Sequence, residues 1–139
     1  MLNDVFNDLT RVLHLVVHAH NFFTDPKCGA PPEAVAAAYG LVEMGESLQE
    51  FGVPTHCALL SDMSGYEGID EAYGGVFPPL KNSFLFANLS IGYRASVFWE
   101  VGPRYRTPMR DVFILTGFNR SLCAGETALD CIAQGYQVV

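Results

Sequence analysis

The sequence predicts an α/β protein built on a mainly parallel sheet. Two apolar runs, Arg11–His18 and Asp111–Leu115, have the continuous hydrophobic character of strands that are buried on both faces. The second run is followed by a helical pattern that starts at Cys123 and by a strand-like segment, Tyr136–Val139. Strand, helix and strand in this order predict a βαβ unit, whose two strands are parallel.

Local patterns define the remaining elements in chain order. Residues Met1–Thr10 are predicted as a short helical lead-in, and Ala19–Pro26 as a loop that leaves the first strand at its carboxyl end. Pro31–Phe51 is predicted as the first long helix, because prolines mark its start and Gly52 its end. Val53–Leu60 is predicted as the second strand. The apolar stripe expected on the long helix consists of Val35, Ala38, Tyr39, Val42, Leu48 and Phe51.

Length, composition and charge limit the classes of protein to which the chain can belong. A chain of 139 residues with 50% hydrophobic residues is expected to form a single domain, residues 1–139, with a buried core. The net charge of −7 disfavours nucleic acid and anionic membrane surfaces as partners, because both attract clusters of Lys and Arg. No apolar run is long enough to span a bilayer.

The cysteines and the amino terminus favour a reducing compartment. Four cysteines are spread along the chain without a C-x-x-C pair, which argues against a disulfide framework and against a zinc site. Polar residues interrupt any apolar core of a signal peptide near the start of the chain. We therefore expect a cytoplasmic protein.

Cys123 is the first candidate for chemistry, because it stands at the predicted start of a helix after a buried strand. Amide groups at a helix start lower the pKa of a thiol there, and they can hold an oxyanion that forms when a thiolate attacks a carbonyl. The alternative is a cysteine that only packs against the sheet, as free cysteines often do. The residues by themselves leave both interpretations open.

The segment around Cys123 resembles that of a known family. Leu115-Thr116-Gly117, Cys123, the run Glu126–Asp130 and the run Gly135–Val139 are similar to the cysteine-bearing segment of the isochorismatase-like cysteine hydrolases. That family includes nicotinamidases and N-carbamoylsarcosine amidohydrolases. The resemblance implies a three-layer α/β/α sandwich with the sheet order 3-2-1-4-5.

The end of the first strand resembles the family pattern V-I-D-x-Q-x-x-F with a departure at the catalytic position. Phe23 and Pro26 fit, but His18 stands where the family has its proton-handling aspartate, and His20 where it has glutamine. A histidine can serve as the general base for a cysteine. The alternatives are that the site has lost its acid–base function or that His18 only packs at the strand end. Asp25 in the same loop is a further possible carboxylate, although it matches no family position.

Lys81 is the third candidate. Lys81, Ser83 and Phe84, in the segment Val76–Phe86, resemble the part of the family that supplies a catalytic lysine. On this resemblance, Lys81 would arrive from the third strand and stabilise negative charge on the cysteine or on the intermediate. The alternative is a surface lysine after a proline-rich turn.

The resemblance implies hydrolysis of an amide or related C–N bond in a small molecule, with Cys123 as the nucleophile. Amides near Leu122 and Cys123 would hold the oxyanion, and the remaining residues expected to contact substrate are His20, Phe22, Phe23, Phe118 and Asn119. No metal is expected, because no histidine follows His56 to complete a three-ligand metal site of the kind found in nicotinamidases. No other cofactor is expected either.

Two alternative functions remain open, and an oligomeric state is also predicted. A binding or scaffold protein with impaired catalysis would account for the missing aspartate. An isochorismatase-type enzyme would cleave a vinyl ether, and some of those enzymes act without a cysteine nucleophile. A homo-oligomer is expected, because the last predicted strand would leave a bare sheet edge that can pair with another subunit.

Overall fold

The structure is a computed structural model that describes residues 7–60, 85–89, 96–98 and 110–139. Its strands are β1 (Val12–Val17), β2 (Thr55–Leu60), β3 (Leu85–Leu89), β4 (Val112–Gly117) and β5 (Gln137–Val138). Its α-helices are α1 (Asn21–Thr24), α2 (Pro32–Glu50) and α3 (Cys123–Ala133), and short 3-10 turns lie at Leu9–Arg11 and Pro26–Cys28. The strands form one sheet in the order β3-β2-β1-β4-β5, and each neighbouring pair is parallel. The expected fold class and sheet order are confirmed.

Strand β1 lies at the centre of the sheet, because it pairs with β2 on one side and with β4 on the other. All six of its residues are buried, as its continuous apolar sequence predicts. The carboxyl ends of β1 and β4 meet at the same edge, since Val17 is the register partner of Gly117. This edge is where an open parallel sheet places its ligands.

Helices cover the two faces of the sheet. Val16 packs with Ala38 and Val42 of α2 on one face. Leu13 packs with Cys131 of α3, and with Phe98 and Phe113, on the other face. Side chains of β1 thus contact a helix on each face of the sheet, which gives the three layers expected.

Helix α2 begins and ends close to the predicted positions, but its buried face is narrower than expected. Its buried residues are Ala38, Val42 and Gly45. The prediction that Tyr39 and Phe51 belong to the buried stripe is wrong, since their exposed fractions are 53% and 69%. Phe51 is the residue after the last helical turn, and Tyr39 lies one position past the packed row, so both side chains point away from the sheet.

The connection after β1 is more regular than the predicted loop Ala19–Pro26. It contains α1, whose last residue, Thr24, donates its hydroxyl to the His20 carbonyl at 3.2 Å. A 3-10 turn starting at Pro26 follows, and the Asp25 carboxylate caps it by accepting the Lys27 amide at 2.8 Å. The prediction was wrong because a single helical turn is too short to produce a periodic sequence pattern.

Strand β3 begins at Leu85, four residues after Lys81 in the chain. Lys81 itself lies outside the described residues, as do Ser83, Phe84 and residues 1–6 of the predicted lead-in. In the described part of the lead-in, residues 7–10, a 3-10 turn capped by Asp8 begins at Leu9 and extends to Arg11, the first residue of the predicted strand. Among the described helices, none has the length and apolar character needed to cross a bilayer.

Candidate active site

His18 follows the last residue of β1 in an unusual backbone conformation. Its φ is +53°, in the left-handed region that residues other than glycine seldom adopt. The conformation is held by hydrogen bonds on both sides: the His18 amide donates to the Ala58 carbonyl, and the His18 carbonyl accepts the His20 amide, each at 2.8 Å. Strained backbone of this kind concentrates at functional sites.

The imidazole of His18 is buried and carries unused hydrogen-bonding capacity. Only 2% of the residue is exposed, and neither ring nitrogen has a hydrogen-bond partner in the described part of the chain. The His20 ring lies 6.1 Å away, centroid to centroid. Burial, with a smaller contribution from His20, lowers the pKa of His18 to about 4. The ring is therefore neutral at neutral pH and can accept a proton there.

Cys123 is the first residue of α3 and lies at the same edge of the sheet as His18. Its half-buried side chain packs against a cluster that contains Val17, the residue before His18. The helix start approaches the two strands closely, because a Cβ on Gly117 would lie 3.0 Å from the Val17 carbonyl and 3.4 Å from Ala124 Cβ. The structure thus brings His18 and Cys123 to one edge.

The resting thiol of Cys123 differs from the expectation. We expected the helix start to lower its pKa, but burial raises the pKa and outweighs the opposing hydrogen bond from the residue's own amide. The prediction was wrong because the apolar cluster beneath the thiol removes solvent from it. The resting site therefore holds a neutral thiol and a neutral imidazole.

The connection between β4 and α3 is a tight, hydrogen-bonded turn. The Asn119 side chain accepts the Leu122 amide at 3.1 Å, and the Asn119 carbonyl accepts the Ala124 amide at the same distance. A Cβ on Gly125 would lie only 2.5 Å from the Arg120 carbonyl oxygen, so the turn requires glycine there. The Leu122 amide, one of the expected oxyanion donors, is thus engaged within the turn.

Thr127 supports Cys123 from within α3, and the sequence argument missed it. Its buried hydroxyl donates to the Cys123 carbonyl at 2.7 Å and accepts the Val97 amide at 3.1 Å. Val97 belongs to the cluster against which the thiol packs. A threonine four residues after the candidate nucleophile could have indicated this link, since a helical threonine commonly donates to the carbonyl four residues earlier.

Two of the predicted pocket residues meet beside this edge. The rings of Phe23 and Phe118 stack with centroids 6.3 Å apart and planes 5° from parallel. Together they line a cavity of about 300 Å³, whose other lining residues are Cys28, Gly29, Ala30, Pro31 and Ala34. Phe22 belongs to α1, but its side chain lies outside the described part of the structure.

Solved structures with the same architecture include one named as a cysteine hydrolase and others named as amidases. A cysteine hydrolase from Pseudomonas syringae pv. phaseolicola superposes with a TM-score of 0.74 at 13% identity, over 94% of this chain and 70% of that one. N-carbamoylsarcosine amidase from Thermoplasma acidophilum gives 0.73 at 18% identity, over 92% and 79% of the two chains. Nicotinamidase from Bacillus subtilis gives 0.73 at 14% identity, over 92% and 82%.

The chain has the isochorismatase-like fold. The sequence matches no family model, and the comparison with curated proteins gave no match. At these low identities the similarity lies in the three-dimensional arrangement alone. It shows the fold and not the chemistry of this chain's residues.

One of the other buried histidines, His14, lies below the site within the isochorismatase-like sheet. His14 is fully buried in β1, and its two ring nitrogens lie 2.9 Å from the hydroxyls of Thr55 on β2 and Thr116 on β4. Burial lowers its pKa to about 4, so this ring is also neutral. His14 thus ties three central strands together, whereas His18 has no hydrogen-bond partner for its ring in the described structure.

Several sequence predictions for the site remain predictions. Lys81 lies outside the described residues, and the described geometry does not test substrate contacts by Asn119 or His20. Within the described ranges, no group of three or more His, Cys, Asp and Glu side chains is arranged to hold a metal ion. The expected homo-oligomer and the absence of cofactors likewise stay predictions.

Proposed function

We propose that the protein is a hydrolase that cleaves an amide or related C–N bond of a small molecule, with Cys123 as nucleophile and His18 as base. The observation that carries this proposal is the buried imidazole of His18, whose ring nitrogens have no hydrogen-bond partner in the described structure. The backbone of His18 is strained, and the residue lies at the edge of the sheet where Cys123 begins α3. A buried polar group without a partner needs a reason, and a proton-transfer role supplies one. The names of the structural neighbours support the same reaction class.

The charge states of the two groups define how the reaction would start. Because both are neutral at rest, the thiol loses its proton to His18 as the sulfur attacks the substrate carbonyl, rather than beforehand. The new sulfur–carbon bond gives a tetrahedral intermediate. The His18 imidazolium then donates its proton to the leaving nitrogen as the carbon–nitrogen bond breaks. A thioester on Cys123 remains.

Hydrolysis of the thioester would use the same base. Neutral His18 accepts a proton from water as the water oxygen attacks the thioester carbonyl. The proton then returns to the sulfur as the carbon–sulfur bond breaks, which releases the carboxylic acid and restores the thiol. The Cys123 amide, which lies close to its own sulfur, is the candidate oxyanion donor. The Leu122 amide can donate to the oxyanion only if its hydrogen bond to the Asn119 side chain breaks.

A second candidate is a binding protein that retains the fold without efficient catalysis. Two observations favour it: burial raises the pKa of Cys123, and the Leu122 amide is engaged by Asn119. Both reduce the readiness of the resting site for nucleophilic attack. In addition, no carboxylate in the described part of the chain contributes to the pKa of His18, so none stabilises its protonated ring.

The test is ammonia release from a panel of small primary amides and N-carbamoyl compounds, with intact-mass detection of acylated protein. Cys123→Ala should abolish turnover. His18→Asn should lower it by about 10²- to 10⁴-fold, the usual contribution of a positioned general base. Cys131→Ala is the matched control, because it removes a buried thiol from the same helix away from the sheet edge.

The outcome separates the two candidates. Turnover that survives in Cys123→Ala contradicts the hydrolase proposal. So does acylation of Cys123 by p-nitrophenyl acetate at the same rate in the parent and in His18→Asn. The first result would place catalysis on residues other than Cys123. The second result, with circular dichroism spectra matching the parent, favours the binding protein, as does the absence of turnover in the parent across the whole panel.

A further inference from the structure

A second cavity lies on the α2 side of the sheet. It measures about 430 Å³, a size typical of small-molecule sites, and it is a solvent-open cleft bordered by one side of α2, the end of β4 and the turn that follows. Leu41, Met44 and Phe118 form its apolar walls. Cys123 is not among its lining residues, although its neighbour Ala124 is.

Among the described residues, the cavity is lined by one cationic group and one partly buried hydroxyl. Arg120 lines it with an exposed side chain, and this arginine forms no ion pair with any residue in the described ranges. Thr116 lines it from the sheet, with its hydroxyl 2.9 Å from His14 Nε2. In the part of the chain that the structure describes, no acidic residue lines the cavity. An isolated guanidinium beside apolar walls matches a small anion that carries an apolar body.

We propose that this cavity binds an apolar monocarboxylate, with the carboxylate on Arg120 and the hydrocarbon or aromatic body between Leu41, Met44 and Phe118. Thr116 points with His14 on one face of β4, whereas Cys123 packs with Leu15 on the other. Leu115 borders both the cavity and the cluster that holds Cys123, so the two sites are adjacent but have different walls. Binding there requires neither turnover nor the Cys123 thiol.

The probe is phenylacetate, compared with phenylacetamide, its neutral counterpart of similar shape. Binding is measured by ¹H–¹⁵N chemical-shift titration of the full chain, and the acid and the amide are compared in the Cys123→Ala variant so that hydrolysis cannot convert the amide into the acid. Phenylacetate should shift the amides of Phe118 and Arg120. Phenylacetamide should bind at least about tenfold more weakly, because it lacks the charge-assisted pairing. Arg120→Gln should remove this preference, and Lys27→Gln, an exposed cation outside the cavity, should preserve it.

A cavity-filling variant tests the location. A Cβ on Gly40 would meet no atom within 4 Å, so Gly40→Leu can fold and extend into the cavity. It should abolish phenylacetate binding, whereas Glu46→Leu, at an exposed position of the same helix outside the cavity lining, should not. Phenylacetate should still bind to a Cys123→Ala, His18→Asn double variant.

Three results overturn the proposal. The first is the absence of shifts at millimolar phenylacetate, and the second is equal binding of the acid and the amide. The third is loss of binding in the Cys123→Ala, His18→Asn variant with retention in Gly40→Leu, which would place the ligand at the candidate active site instead. Failure of the hydrolase proposal affects none of these measurements.

Discussion

His18 and His14 share a lowered pKa but differ in their partners, and this difference predicts two distinct responses to substitution. Both imidazoles have a pKa of about 4 in the folded protein, against an ordinary value of 6.5. As the pH falls below 6.5, each histidine takes up a proton in the unfolded chain while the folded protein keeps it neutral. The unfolded state then binds more protons, so stability is complete above pH 6.5 and is lost as the pH approaches 4. Each residue accounts for about 3 kcal/mol of this loss.

At pH 7.5, where neither histidine is charged, substitution of His14 should lower the free energy of unfolding more than substitution of His18. His14→Asn disrupts the contacts of the ring with Thr55 and Thr116 and should cost about 1–3 kcal/mol for buried groups left without partners. His18→Asn breaks no hydrogen bond of the ring in the described structure. Asparagine also tolerates positive φ better than most residues. Its cost should therefore stay within about 1 kcal/mol, the scale of a small cavity.

Urea unfolding followed by far-UV circular dichroism at pH 7.5, 5.5 and 4.5 measures both effects. Each single variant should lose less stability than the parent between pH 7.5 and 4.5, by up to about 3 kcal/mol. An unchanged pH dependence in His18→Asn would refute the description of His18 as a buried neutral base. A cost at pH 7.5 as large as that of His14→Asn would show that the His18 ring has structural partners.

Three further predictions concern the helix that carries the thiol. Gly125→Ala should destabilise the protein by about 1–3 kcal/mol in urea unfolding, because its Cβ would lie 2.5 Å from the Arg120 carbonyl oxygen; a cost below about 0.5 kcal/mol would contradict the tight turn. Thr127→Val should cost about 1–3 kcal/mol, since it leaves the buried Val97 amide without its acceptor, and Thr127→Ser should restore most of the loss. Alkylation of Cys123 by iodoacetamide, followed by peptide mass mapping, should accelerate only at a pH above the ordinary thiol range, because burial raises its pKa; rapid alkylation at pH 7 would contradict this.

The main strands could be predicted from the sequence because their causes are local, whereas the order of the sheet came from the family resemblance. The apolar run at β1 contains only His14 as a polar residue, and Gly52, at φ +79°, follows α2 where a helix end favours a left-handed residue. The position of Cys123 at a helix start, and of His18 at a strand end, follows from the same patterns. Parallel pairing then brings the two residues to one edge of the sheet.

The electrostatic state of the site could not be predicted in this way. The sequence placed the thiol at a helix start and so predicted a lowered pKa, but the cluster formed by Leu15, Val17, Ala58 and Val97 reverses the direction. The engagement of the Leu122 amide by Asn119 also depends on the path of one turn. Residue types at these positions permit either outcome.

The sequence by itself determined the class of fold, the strand ends that carry His18 and Cys123, and the resemblance that suggests a reaction. Only the tertiary structure decided which groups lose their water and which find partners. The hydroxyls that hold His14 come from residues 41 and 102 positions away, and no short pattern encodes such a meeting. Secondary structure follows from neighbours along the chain, whereas burial and pKa depend on neighbours in space.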